Sequence, residues 1–547
     1  MLTLTEFHEA KYNHAAFYVK QLQLANVLYR KGGAQIGHSL TKLSQDWAQI
    51  EQGQSWAVSA IDEERATRLC SEFASAGVDL LSLRQSTADR IRWLETAVEA
   101  TQRLGQDRVE AEHLCQLGRV YWQAGRVERA VECLQEALAI AQAVRYQPSI
   151  AQAHYYWSEI TTSQADYEAS KEHCAICLPL FERLKDSRGV ADSLASLGNV
   201  ALFQDEYDLA TDYFQRSLLL YRTLGEQVGE ARVLARFASL AGSLRDFTLA
   251  EQYSTQSYQI YCRLNHLEGM GLTLNLLGTC ATCRGDYGQA AAWFQDSLKT
   301  FERLGSPDGI AGAHYKLGEV EHYTGNYAQS REHYRTALEI YQSIKNAARI
   351  AGIIFRLGNV ARTIQDYEEA TQWFQQCLDL CREQDNKSLF AASLNALASM
   401  AYEQQRYEEA QPLFETALAA ALEVDDTWVI ADIHQEWGGM LMEMDQLSPA
   451  KEHLYQALTL AVDMEAVPLA LSIVGSVAKL MHLSSQPDQA LALATYIYEH
   501  PASLETDKDT AQALLQTLPS TLSPQAAARF RGQDLKMVVQ TLLSSPL

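Results

Sequence analysis

The chain has 547 residues, 47% of them hydrophobic and 21% charged, the balance of a folded chain rather than a disordered one. Its 45 Lys and Arg stand against 68 Asp and Glu, a formal net charge of -23, so most of the surface repels nucleic-acid phosphates and anionic lipid, and neither is an expected partner. No window approaches the ~20 apolar residues of a membrane span, ten cysteines show no dense framework, and Met1 to Lys11 has neither a cationic lead nor an apolar run, so the expected location is the cytoplasm.

In chain order, residues 1–76 form an N-terminal helical segment. Phe7, Phe17, Leu22 and Leu28 place one long helix ahead of a break at Gly32-Gly33. A second helix carries Trp47, Ile50 and Trp56, and a third Ala66, Leu69, Cys70 and Phe73. Residues 77–110 hold a degenerate unit with Arg90, Leu94 and Ala97, in which Trp93 fills a slot later given to Tyr213 or Trp293.

From 111 to 500 one constellation returns at a constant step, ten times without an insertion. The step from Leu117 reaches a large apolar residue each time, through Trp157, Leu197, Leu277 and Leu357 to Val477, and the next residue is always small, from Gly118 to Ala478. A second small position follows twelve residues later (Ala130, Ala210, Ala370, Ala490) and a third seven beyond it (Ala137, Ser217, Cys377, Ala457). An aromatic such as Tyr167, Tyr287 or Tyr367 opens the second helix. Small residues at fixed intervals let paired helices approach to ~8–10 Å. The first helix of a unit is expected over about Ala351–Thr363 and the second over Tyr367–Glu383, with left-handed stops at Gly105, Gly225, Asn265 and Gly305. Residues 501–547 then cap the array with helices over Glu505–Leu518 and Ser523–Leu543.

This pattern resembles the tetratricopeptide repeat. The period here is 40 residues, where the family's is usually ~34, as in the long-helix subtype of kinesin light chains, G-protein-signalling modulators and the repeat arms of bacterial MalT-like and NB-ARC regulators. The run from His14 to Trp47 and the ending around Tyr498 and Arg529-Phe530 resemble the flanks of those arms. The resemblance implies an all-α, right-handed superhelical solenoid of antiparallel helix pairs. It implies a protein-protein interaction scaffold in bacterial regulation, taking a peptide or protein segment in its concave groove. The alternative is an arm that senses a ligand or signal peptide, with Tyr155, Tyr156, Tyr315, Phe355 and Tyr402 as stacking surface.

Nothing in the motifs suggests catalysis or a cofactor: GxSxG, HExxH and GxxxxGK[ST] are absent, and the expected protein is not an enzyme. His154, His314 and His434 share a position held elsewhere by Leu194 or Leu394, and His173, His333 and His453 one held by Tyr213 or Trp293, which reads as core packing. Cys174 with Cys177 and Cys280 with Cys283 lie too far apart to share an ion, and no metal site is expected.

By the family's pattern the first helices line the groove. Their inward positions give a basic, amide-rich strip of Asn199, Arg232, Arg236, Asn275, Lys316, Arg356, Asn359, Arg362 and Asn395, flanked by Glu112, Glu159 and Asp192 on one side and Asp432, Glu436 and Glu443 on the other. Asn can pair with both backbone groups of an extended peptide, and Arg forks match carboxylates, so the expected guest carries acidic residues at its middle. The family's clamp for chaperone C-termini is incomplete, since Tyr155, Glu159 and Ser196 stand in its first places.

Overall fold

The computed structural model describes residues 4–30, 35–344, 346–464, 466–503, 505–519 and 522–544. The expected break at Gly32-Gly33 lies outside them. Among the described residues every regular element is a helix. Four open the chain: α1 (Leu4–Arg30), α2 (Gln35–Ser59), α3 (Glu64–Ala76) and α4 (Thr87–Leu104). Helix pairs follow from Asp107–Gln123 with Val127–Ala143 to Val467–Leu483 with Pro487–Glu499. The fold is thus an all-α array of antiparallel helix pairs, in two compact units, Met1–Asn346 and Ala347–Leu547.

The small positions seat rings. At Gly278 an added Cβ would lie 2.5 Å from Phe294, at Gly198 2.5 Å from Phe214 and at Gly358 2.6 Å from Phe374, so these three glycines each receive the buried aromatic of their own second helix, as Gly118 and Gly438 receive Leu134 and Leu454. Overpacking of this kind costs ~1–3 kcal/mol. The third small position adds a polar tie: the hydroxyls of Ser217 and Ser257 donate to the carbonyls of Ala191 and Ala231, both at 2.7 Å. Within each unit, successive first helices pack against one another more closely than successive second helices do, which makes the first helices the inner layer.

Turns recur at half the repeat. The expected left-handed stops hold, with φ of 62° at Gly105, 68° at Gly225, 50° at Asn265 and 67° at Gly305. The turn inside each pair has the same geometry, at Gly125, Ala165, Asp205, Arg245 and so on to Ser485, so at every described position of this series a left-handed residue falls at each half-repeat. First helices also begin one turn earlier than expected, at Ala347 rather than Ala351. Capping side chains start them: Asp186 accepts from the Gly189 amide at 3.1 Å and Asn386 from the Leu389 amide at 3.1 Å. At the C-terminus Glu505–Thr517 matches its expectation, whereas Ser523–Leu543 is two helices, Pro524–Ala527 and Leu535–Ser544. Gly532, at φ 73°, turns the chain between them, and Asp534 caps the second.

Candidate functional site

In the first unit the N-terminal helices reach the inner layer. Asp79, after α3, takes Arg30 on one side and Arg188 at 2.8 Å on the other. Burial opposes the Asp79 carboxylate, yet the charges of Arg188 and Arg30 outweigh it and hold its pKa below the usual range. A second knot lies beside it: Asp192 accepts from Arg232 and from the Tyr221 hydroxyl at 2.6 Å, and Arg232 donates to that hydroxyl at 2.7 Å. Burial again opposes ionisation, and Arg232 with Arg188 again wins, leaving Asp192 below the usual carboxylate range. Both are closed ion-pair networks.

Between them is a cavity of about 460 Å³, walled by Tyr29, Arg30 and Asp79 from the N-terminal segment and by Gln116, Arg119, Tyr155, Tyr156, Arg188, Asp192 and Arg232 from the inner helices. Tyr155 is only 9% exposed, and its hydroxyl has no hydrogen-bond partner among the described residues. The buried Tyr29 hydroxyl has none either. Tyr156 accepts from the amides of Gln116 and Gln152, both at 3.2 Å. Arg119 lies 5.8 Å from the Tyr156 ring centre and pairs with no carboxylate among the described residues. Burial, and then the nearby Arg119 charge, push the Arg90 guanidinium down to about 10.

The expected strip is divided between the units. In the first, Asn199 is buried, Asn275 half-buried, and the Oδ1 of each lacks a partner. Arg232 is tied to Asp192, Arg236 is half-buried with no ion pair among the described residues, and Lys316 bonds Glu319 at 2.8 Å. In the second, Arg356 and Asn359 are half-buried, and Arg362 meets Glu403 at 3.0 Å. Asn395 donates to Asp432 at 2.8 Å while its own Oδ1 lacks a partner. Of the nine residues only Arg232 lines the 460 Å³ cavity. Arg119 and Arg188, central to that cavity, were not part of the strip, although Arg119 occupies the same repeat position as Asn199 and Asn359.

The second unit has its own recess of about 590 Å³, bounded by Tyr402, Glu436, Ser472, Lys479 and the C-terminal helix at Leu514. Gly439 and Gly475 leave space there. Burial, reinforced by Asp432 and Glu403, pushes the Glu436 carboxyl up to about 7.

The six histidines form three pairs rather than six separate core residues. His154 meets His173 at 2.9 Å, His314 meets His333 at 2.9 Å and His434 meets His453 at 2.8 Å, each Nδ1 to Nδ1. Burial and then the partner ring lower His154 and His434 to about 4 and also lower His314, which favours the uncharged form in each pair. Cys174 and Cys177 are buried, and Cys177 lies 3.3 Å from the Ser193 hydroxyl.

Residues 231–425 match the family model of the MalT-like TPR region, and residues 88–143 that of the tetratricopeptide repeat. These two stretches of the chain carry tetratricopeptide repeats. Among solved structures this repeat protein is similar to a signal transduction ATPase with a tetratricopeptide repeat sensor from Pyrococcus horikoshii, at 11% identity over 78% of this chain and 66% of that one, TM-score 0.48. It is similar to the apo form of the quorum sensor NprR from B. thuringiensis, at 14% identity over 66% and 99%, TM-score 0.47. It is also similar to a Rap protein complexed with competence and sporulation factor, at 12% identity over 66% and 99%, TM-score 0.45. No curated protein matches the chain significantly. No helix among the described residues is long and apolar enough to cross a membrane.

Proposed function

We propose that this tetratricopeptide-repeat protein is a non-enzymatic scaffold of a cytoplasmic regulatory system, holding a segment of another protein against its inner helices. One observation carries the reading. The side-chain carbonyls of Asn199 and Asn275 on inner helices of the first unit, and that of Asn395 on one of the second, are buried without a hydrogen-bond partner among the described residues. An unmade hydrogen bond at a buried acceptor costs ~1–3 kcal/mol, and an extended peptide's N–H groups would relieve it. Arg236, which has no ion pair among the described residues, would meet an acidic residue of the same guest. Selection of a displayed random-peptide library should enrich acidic sequences on the native protein and fail to enrich them on the Arg236→Glu, Asn275→Ala double variant. Recovery of the same peptides by both proteins would discard the reading.

A second reading, an arm that senses a small ligand, is favoured by the cavity of the first unit and by the hydroxyls of Tyr29 and Tyr155 in its wall, which have no hydrogen-bond partner among the described residues.

A further inference from the structure

We propose that the cavity of the first unit binds a small organic oxyanion, a carboxylate or phosphate ester on a flat apolar body, with Arg119 as its counter-charge and the Tyr155 and Tyr156 hydroxyls as donors. The inference rests on the sensing reading and names the ligand class for it.

The wall contains four acids, and all are engaged within the chain. Asp79 holds Arg30 and Arg188, and Asp192 holds Arg232 and Tyr221. Asp186 accepts the Gly189 amide at 3.1 Å and Glu226 the Gly229 amide at 2.6 Å. The donors are not all engaged. Arg119 pairs with no carboxylate among the described residues, and Glu268, whose field it feels, is beyond ion-pair distance. Tyr155 has an unpartnered hydroxyl. Tyr156 receives two amide hydrogen bonds, so its own proton has no acceptor among the described residues. These groups adjoin: the Tyr155 and Tyr156 rings are 5.2 Å apart, and Arg119 lies over the second. A cavity that offers a guanidinium without an ion pair beside unused hydroxyl donors is complementary to an acceptor-rich anion, and a fork-shaped donor matches two oxygens at once. At about 460 Å³ the space falls in the ~300–1,000 Å³ range of small-molecule sites, and the two phenol rings, tilted by 47° to each other, supply flat faces.

The test is calorimetric titration and thermal shift on the full chain with three matched probes: the anions 4-hydroxybenzoate and phenyl phosphate, neutral benzamide, and cationic benzylamine. An anion should raise the melting temperature and bind, and whichever of the two binds more tightly tells a carboxylate ligand from a phosphate. Arg119→Gln should weaken that binding about tenfold or more, the loss of a charged hydrogen bond. Tyr155→Phe, which removes only an oxygen, should weaken it by about three- to tenfold. Arg216→Gln, on an outer helix face, should leave it unchanged. Anion binding that survives Arg119→Gln overturns the proposal. Benzamide or benzylamine binding in preference to the anions overturns the ligand class while leaving a sensing cavity. No binding by any probe removes both.

Discussion

A histidine pair recurs three times in this chain, and nowhere else do both partner positions carry histidine. Where the first helix has His434 the second has His453, and where it has Leu394 the second has Leu413, so the two positions change together within a single chain. Each pair survives as a hydrogen bond only while one ring is an acceptor, which requires it to be uncharged. The unfolded value is 6.5 and the folded value of His434 about 4. Above pH 6.5 both states are neutral and the contribution is fully present; as pH falls toward 4 the unfolded chain takes up protons that the folded one refuses, and stability is lost. Glu452 beside His453 opposes this lowering without reversing it. Replacing His434 and His453 together with Leu should therefore reduce the drop in melting temperature between pH 7 and pH 5, and an unchanged drop would exclude the pair as an acid-labile contact. The burial of these residues was readable from their exchange with Leu and Tyr, but the bond was not, because each position was read separately rather than as a pair facing across two helices. Arg119 went unread for a related reason: its lack of a partner depends on where Glu268 and the Asp79 and Asp192 networks come to rest, and sequence spacing does not encode that.

At the scale of the helix, the turns decide the geometry. A left-handed residue recurs at every described half-repeat position, yet only some of these positions are glycine; Ala165 sits at φ 61° and Arg245 at φ 57°. A Cβ in that conformation costs ~1–2 kcal/mol, partly offset by the greater freedom glycine loses on folding. Ala165→Gly is therefore expected to stabilise the protein by about 0.5–1 kcal/mol, read from its urea midpoint. A decrease would mean that the turn is held by more than local sterics. Helix existence, pairing and the glycine stops were legible, because Gly105, Gly225 and Gly305 advertise their conformation. The turn inside each pair was only partly so: Gly125, Gly285 and Gly325 carry the same signal, but Ala165, Arg245 and Gln365 do not. The early starts at residues such as Ser187 were signalled by caps, Asp186 and Asn386 among them, that the small-and-large pattern did not weigh.

For the molecule, the N-terminal segment is part of the first unit's core rather than an appendage. Leu22, Tyr29, Phe73 and Leu80 share one buried cluster with Ala231, Leu234, Tyr261 and Leu264, residues that belong to much later repeats. Deleting residues 1–76 should expose that surface, lower the melting temperature and raise binding of a dye for apolar surface. A truncated protein that melts like the full one would show that the repeats close their own inner face. The sequence placed these helices but not their berth, since contacts between α1 and a distant repeat follow from curvature accumulated over several pairs, which no single repeat spells out.

The metre of the turns also sets what lengths the chain can take. Adding or removing one full period exchanges a whole pair and leaves each neighbour facing the side it faced before. A change of half a period would keep every turn in phase and yet exchange the two layers within a unit, bringing the aromatic-bearing second helices inward and turning the more apolar first helices outward. Growth of such an array is therefore quantised in pairs, although its joints are spaced by single helices.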